Sequence, residues 1–417
     1  MFLGFDFGTS GARACVLNGS TEVVHQDHIA YADAASQTPL EWREALYTLL
    51  HRLPPDLAGA LQGIAIAGTS GTVLLSNEKL EPVSIALLYS DSRAWQEAEL
   101  LRQLATPGHI VCSASSGLAK FQWLMHHADH PDAVHFLHQA DWLGALLTEL
   151  GGISDYHNAL KTGYDVERLC WPDWIKQLPH AQRLPHVIAP GTAIARVSPV
   201  VAQHFGLNSG CTVHAGTTDS IAAFIAAGAH EPGTAVTSLG TSLALKLLSH
   251  HRVEAAQYGV YSHRYGHLWL AGGASNSGGG VLRQFFTDVQ LAEISREIDA
   301  SQDTPLDYYP LSRPGERFPV NDPAMAPRLT PHPEDNAAFL HGMLQGLSRI
   351  EAAGYARLIE LGATPLTSVI TCGGGAKNLV WQQIRTRLLG VPVRPAVHTE
   401  AAYGAALLAL RGYLLQA

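Results

Sequence analysis

The stretch DFGTSGARACVL, spanning Asp6 to Leu17, decides the fold, because it returns as SLGTSLALKLLS from Ser238 to Ser249. Both copies read as strand, Gly-Thr-Ser turn and strand. In the first, Phe2 to Phe7 and Ala12 to Leu17 are the strands, and Gly8-Thr9-Ser10-Gly11 supplies the small residues a tight hairpin needs. The recurrence indicates an internal duplication. It places a domain boundary just before the second hairpin, giving domains over residues 1–228 and 229–417. A chain of 417 residues is too long for one ordinary core, which agrees with two domains and a cleft between them.

Working outward, Leu40 to Leu53 has helical apolar spacing, and Leu61 to Ala67 reads as a buried strand entering Gly68-Thr69-Ser70-Gly71. Val213 to Gly216 ends a strand at Thr217-Thr218-Asp219-Ser220, where an Ala-rich helix begins. In the second half, Leu270 to Ala274 feeds Gly278-Gly279-Gly280, and Ala337 to Leu361 is a long amphipathic helix. Val369 to Cys372 is a strand ending in Gly373-Gly374-Gly375-Ala376-Lys377-Asn378. Leu306 to Pro333 reads as a long ordered loop, and Glu400 to Leu414 as a small-residue helix that can pack back on the first domain.

Hydrophobic residues at 47% against 15% charged describe a globular α/β enzyme. A net charge of -9 with no basic run argues against nucleic acid as a partner, so any phosphate must be gripped locally. Five scattered cysteines, an N-terminus without signal-peptide character and no membrane-length apolar run point to the cytoplasm and away from a membrane. The 22 histidines include His126, His127 and His130, but a solvated helix face explains that group better than a zinc site.

A Gly-rich turn bearing hydroxyls lets N–H groups approach phosphate oxygens, since glycine has no Cβ and tolerates positive φ. That assigns Gly8, Thr9 and Ser10 to one phosphate-facing turn, and Gly240 and Thr241 to another. Asp6 at the lip of the first turn suits a magnesium ion carried with phosphates. A single such turn is equally well explained by hairpin architecture; two of them fit a clamp on the β- and γ-phosphates. Gly374, Gly375 and Asn378 suit a base or ribose, whereas Gly278-Gly279-Gly280 has a packing explanation of equal weight. A carboxylate within hydrogen-bond reach of a sugar hydroxyl can accept its proton during phosphoryl transfer, and Asp219 could do this or cap its helix.

Taken together, DFGTSGARA from Asp6, DWLGALLTEL from Asp141, SDYHNALKTGYD from Ser154, AGTTDSIAAFIAAGAHEPGTAVTSLGTS from Ala215, CGGGAKNLVWQQI from Cys372 and TEAAYGAA from Thr399 resemble the FGGY carbohydrate kinases. GTSGTVLL, SDYHNALK, LDYYPL and GERFP are most similar to the short cyanobacterial and plant D-ribulose kinases once labelled xylulokinase-like. The resemblance implies two actin-like, ribonuclease H-like domains with an ATP and sugar cleft, and ATP and Mg²⁺ as cosubstrate and cofactor. It implies Asp219 as catalytic base, Asp6 and Thr9 near the metal and transferred phosphate, and Ser70, Asp219 and Ser220 on the sugar. Tyr89-Ser90-Asp91-Ser92-Arg93 is similar to an aromatic-x-Asp-x-Arg sugar-site pattern, with Tyr89 replacing the usual Trp, but Asp91 and Arg93 are equally readable as a surface ion pair. Asn158 and Lys161 are second-tier candidates near the cleft.

The leading expectation is therefore a kinase converting D-ribulose to D-ribulose 5-phosphate, as a monomer or homodimer. D-xylulose, another ketose or glycerol are the alternative acceptors. A non-enzymatic actin-like nucleotide switch is the remaining class, and light scattering with ATP separates it from a kinase.

Overall fold

The computed structural model describes residues 1–33, 36–127 and 130–416. They form two compact units, one of Met1–Ala226 with Glu400–Ala417 and one of Ala227–Thr399. Both carry the ribonuclease H-like scheme of an antiparallel meander continued by parallel strands.

In the first unit the sheet runs Val23–Ala30, Gly11–Leu17, Phe2–Phe7, Gly63–Gly68, Thr212–His214, Ala193–Arg196. The first three pair antiparallel, and Gly63–Gly68 and Thr212–His214 follow parallel to Phe2–Phe7. Period-two alternation along Phe2–Phe7 sorts the two faces. Leu3, Phe5 and Phe7 join Trp42, Leu46 and Trp142 in the main core. On the other face Gly4 meets the helix Ala401–Leu414 so closely that a Cβ there would stand 2.1 Å from the Ala402 carbonyl oxygen. Asp6 shares that face.

The expected strand over 213–216 is broken. The Ala215 N–H donates to the Thr192 carbonyl, and its own carbonyl accepts the Gly191 N–H, both at 2.8 Å. The chain is drawn off the sheet at Ala215 and rejoins Gly63–Gly68 as Thr217–Thr218. The helix Asp219–Ala227 begins at the next residue.

The second unit's sheet runs Tyr261–Tyr265, Leu268–Ser275, Leu243–Ser249, Thr234–Leu239, Ser368–Cys372, Val393–Pro395. Its hairpin pairs Leu239 with Leu243, as the first pairs Phe7 with Ala12. Behind it, the helices Asn336–Glu360 and Leu379–Leu389 bury a bidentate ion pair, Arg385 Nε and Nη2 donating to Glu351 at 2.6 and 2.7 Å. Arg385 Nη1 also reaches Thr371 Oγ1, and Glu351 accepts from Thr237. Each charge is hydrogen-bonded on several sides, the condition for tolerating burial. The segment Leu306 to Pro333 has no regular helix or strand. It is ordered around buried Glu316, which accepts from Ser275 Oγ, the Asn276 N–H and Tyr309 Oη.

Candidate active site

The first unit's chemistry gathers where its parallel strands end. Register aligns Asp6 with Ala67 and Ala67 with Thr217, then Phe7 with Gly68 and Gly68 with Thr218. Gly8, Thr69 and Asp219 therefore leave adjacent strands at one level, the usual location of ligand sites in such sheets.

Asp6 is 5% exposed, with Oδ2 3.5 Å from Arg13 Nη1 and Oδ1 buried without a hydrogen-bond partner. Burial, then the negative charge of Asp219, push its pKa up to about 7 against the pull of Arg13. Arg13 is opposite Asp6 in the hairpin register, and its Nε lies 3.5 Å from Glu400, the residue that opens the last helix. Asp219 is half-buried, and its Oδ1 accepts the Ser220 N–H at 2.6 Å; Ser220 is exposed. In the opening turn, the Gly8 N–H is used on the Gly11 carbonyl, and Gln37 Nε2 donates to the Thr9 carbonyl at 2.7 Å. Thr9 and Ser10 are exposed, and a Cβ on Gly8 would meet nothing closer than 3.7 Å.

Ser70 sits in a turn closed by the Thr72 N–H on the Thr69 carbonyl, with Gly71 at φ +81°. Thr69 is pinned by Gln139, whose Oε1 accepts both its N–H and its hydroxyl. Ser70 Oγ is buried with no partner. Asn158 lies in a short helix, Tyr156–Ala159, capped by Asp155, and its Nδ2 donates to Asp155 at 2.6 Å. Lys161 flanks the Ser70 turn, its Cδ 3.6 Å from where a Gly71 Cβ would be. Arg93 forks onto Asp91 at 2.8 to 3.0 Å and stacks over Trp123.

In the second unit, Gly240, Gly374, Gly375 and Asn378 line one cavity of about 610 Å³, a size suited to a nucleotide-sized ligand. The carbonyls of Gly240 and Thr241 accept the N–H groups of Gly279 and Gly280 at 2.8 and 3.1 Å, so the turn's acceptors are occupied by protein. Gly279 lines the cavity as well. The three glycines after Ser368–Cys372 differ in their reasons. Gly373 has φ +84° and abuts Leu239, and a Cβ on Gly375 would lie 2.6 Å from Trp381 Cζ3; at Gly374 it would meet nothing nearer than Arg283 at 3.9 Å. Gly375 thus admits the Trp381 ring, and Gly374 keeps the open wall. Asn378 Oδ1 accepts the Trp381 N–H, while its Nδ2 donates to Ser295. Arg283, paired with Asp288 at 3.2 Å, Arg296 and Lys377 also line the cavity, three cations against one carboxylate.

Two family models divide the chain: the N-terminal domain of the FGGY family of carbohydrate kinases matches residues 1–226, and the C-terminal domain matches 235–413. The chain belongs to this family. As an FGGY kinase it is a sugar phosphotransferase that uses ATP. It is 26% identical to the xylulose kinase of Klebsiella pneumoniae, covering 98% of this chain and 89% of that protein. It is 25% identical to a glycerol kinase of Acidovorax sp. (strain JS42), covering 98% and 89%. Among solved structures, a xyloylose kinase from Brucella ovis superposes with a TM-score of 0.84 at 23% identity, over 99% of this chain and 90% of that one.

The FGGY kinase's own residues fit a divalent cation at Asp6. Its orphaned Oδ1, buried beside the negative field of Asp219, is an oxygen donor that no protein group satisfies. Sequence reasoning missed Arg13 and Glu400 as neighbours of Asp6. The hairpin register could have exposed Arg13, but no local rule connects Glu400 to the opening strand. Among the described residues no helix is long and apolar enough to cross a membrane.

Proposed function

We propose that this kinase phosphorylates a ketopentose, D-ribulose to D-ribulose 5-phosphate, with Asp219 as general base. The observation that carries the reading is the shared end of three neighbouring strands: Asp6, next to last in Phe2–Phe7, is a buried carboxylate, Ser70, two residues past Gly63–Gly68, an unsatisfied hydroxyl, and Asp219, directly after Thr217–Thr218, a second carboxylate. Asp219 takes the proton of the terminal sugar hydroxyl as its oxygen bonds to the γ-phosphorus, and the bond from that phosphorus to the β–γ bridging oxygen breaks, releasing ADP. Ser70 and Ser220 orient the sugar. Asp6, with Thr9 nearby, would hold a magnesium ion, which would supply neutralisation of phosphate charge. In the second unit, Gly240 and Thr241 face the phosphates, and Gly374, Gly375 and Asn378 shape the wall for the nucleoside.

D-Ribulose is favoured over D-xylulose by the segments GTSGTVLL, SDYHNALK, LDYYPL and GERFP; the xylulose kinase relatives support D-xylulose as the second reading. Specificity constants across D-ribulose, D-xylulose, other ketoses and glycerol, from sugar-dependent ADP release, decide between them. The Asp219→Asn variant should lose about 10²–10⁴ in kcat with ATP affinity within twofold of wild type. Retention of more than a tenth of the activity would sink the base assignment.

A further inference from the structure

The helix Gly117–His127 carries a lysine on its buried side, among Leu118, Ala119, Phe121 and Leu124. Lys120 is fully buried, and its Nζ donates to two main-chain carbonyls, Gly71 at 2.7 Å and Leu88 at 2.6 Å. The first belongs to the turn that presents Ser70. The second also accepts the Asp91 N–H at 2.9 Å, closing the turn whose Asp91 holds Arg93. The backbone bonds exchanged by Val73 and Leu87, at 3.0 and 2.9 Å, bring the two loops side by side, and the ammonium adds a tie from each loop to the helix beneath. The helix beneath it is held firmly: Ser116 Oγ accepts the Ala119 N–H, and Gly117 seats against Thr162, where a Cβ would lie 2.2 Å from Oγ1.

A buried ammonium is costly unless its hydrogen bonds do something that a leucine or methionine could not. Glycine at position 71 leaves the Ser70 turn conformationally permissive, and the bond to the Gly71 carbonyl removes that freedom. We propose that Lys120 is a positioning residue of the acceptor-sugar site, fixing the Ser70 turn against the Asp91–Arg93 turn and so setting sugar affinity without touching sugar. This rests on Ser70 being a sugar contact. The charged groups facing Lys120 are Asp91, with Arg93 bound to it, and Lys161. Burial pulls the ammonium down to about 7, with Asp91 opposing and Lys161 reinforcing the fall. Lys120 is thus charged below neutral pH and neutral above it, and charge-assisted bonds to the two carbonyls weaken as pH rises.

The test is steady-state kinetics on the full chain, with sugar and ATP varied separately and D-ribulose or the best pentulose of the panel as acceptor. Lys120→Met should raise the sugar KM tenfold or more and leave the ATP KM within twofold, and Lys120→Arg should recover part of the loss. In wild type the sugar KM should climb several-fold from pH 6 to pH 8.5. Lys161→Met, by removing a neighbouring positive charge, should move that climb to higher pH. A wild-type sugar KM that is flat across this range overturns the inference without any variant having to fold. So does a Lys120→Met enzyme that melts earlier but keeps both KM values. Ser70→Ala separates the two failures. An unchanged sugar KM there sinks the Ser70 reading itself, whereas a raised one beside an unaffected Lys120→Met sinks only the role of Lys120.

Discussion

Replacing Asp6 with asparagine separates what the carboxylate costs the protein alone from what it contributes to the reaction. Asp6 is buried with Oδ1 unbonded, and its pKa rises from the ordinary 3.8 to about 7. Between those values the folded protein binds a proton that the unfolded chain has released. Stability therefore falls as pH rises through that window, and the full penalty is present above it. A rise of this size corresponds to roughly 4 kcal/mol. Asparagine keeps the shape without the charge, and the 3.5 Å pairing with Arg13, whose side chain is 42% exposed, is already inside that figure as a pull against the rise. The expected net gain for Asp6→Asn at pH 8 is about 4 kcal/mol, or roughly 8–16 °C in the melting temperature of a unit of this size. Less than half of the gain should remain at pH 5. Thermal melts at the two pH values read this directly. Magnesium with ATP should then stabilise wild type more than the variant, and sugar-dependent ADP release should fall at least ~100-fold in the variant if Asp6 holds the ion. A variant that is no more stable than wild type at pH 8, or is equally stabilised at both pH values, refutes the reasoning.

Other positions give independent checks. Gly375→Ala puts a Cβ 2.6 Å from the Trp381 ring and 2.8 Å from Leu239 Cβ, so it should cost ~1–3 kcal/mol in urea unfolding. Because Leu239 leads directly into the Gly240 turn, the ATP KM should rise several-fold and the sugar KM should stay constant. Arg385→Leu leaves Glu351 buried and unpaired and should cost about 3–5 kcal/mol; adding Glu351→Leu should recover much of that loss, which a double-mutant cycle measures.

The hairpins were legible because a Gly-Thr-Ser turn between short apolar runs has few other readings, and the duplication between them made the two-unit scheme legible as well. The helix expected over Leu40 to Leu53 lies at Pro39–His51, set at its start by a capping box between Thr38 and Glu41. What the sequence hid were consequences of tertiary contact. The break at Ala215 depends on hydrogen bonds to the loop at Gly191 and Thr192, which no periodicity records. Around Asn158 the Asp155 side chain accepts the His157 and Asn158 N–H groups and winds a helix of four residues, too short for apolar periodicity to announce. Lys120 runs against the strong tendency of lysine to stay at the surface, so composition pointed away from it.

The glycine and alanine content of the last helix bears on Asp6 directly. A Cβ on Gly404 would lie 1.8 Å from the Ala222 carbonyl oxygen, and one on Gly4 would lie 2.1 Å from that of Ala402. Ala401–Leu414 therefore rests backbone to backbone on both the opening strand and the helix that starts at Asp219. Ala67, Ala222, Ala401 and Ala405 fill what little space remains. Any larger residue along these seams would lift the last helix and carry Glu400 away from Arg13. The close fit instead brings Asp219 and Glu400 within electrostatic reach of Asp6, and both raise its pKa while Arg13 alone is resolved as opposing them. Small residues along these seams thus set the charge density at the strand end. That surplus of negative charge is what a nucleotide-borne magnesium ion would relieve, and it ties the packing of the final helix to the chemistry proposed for the first turn.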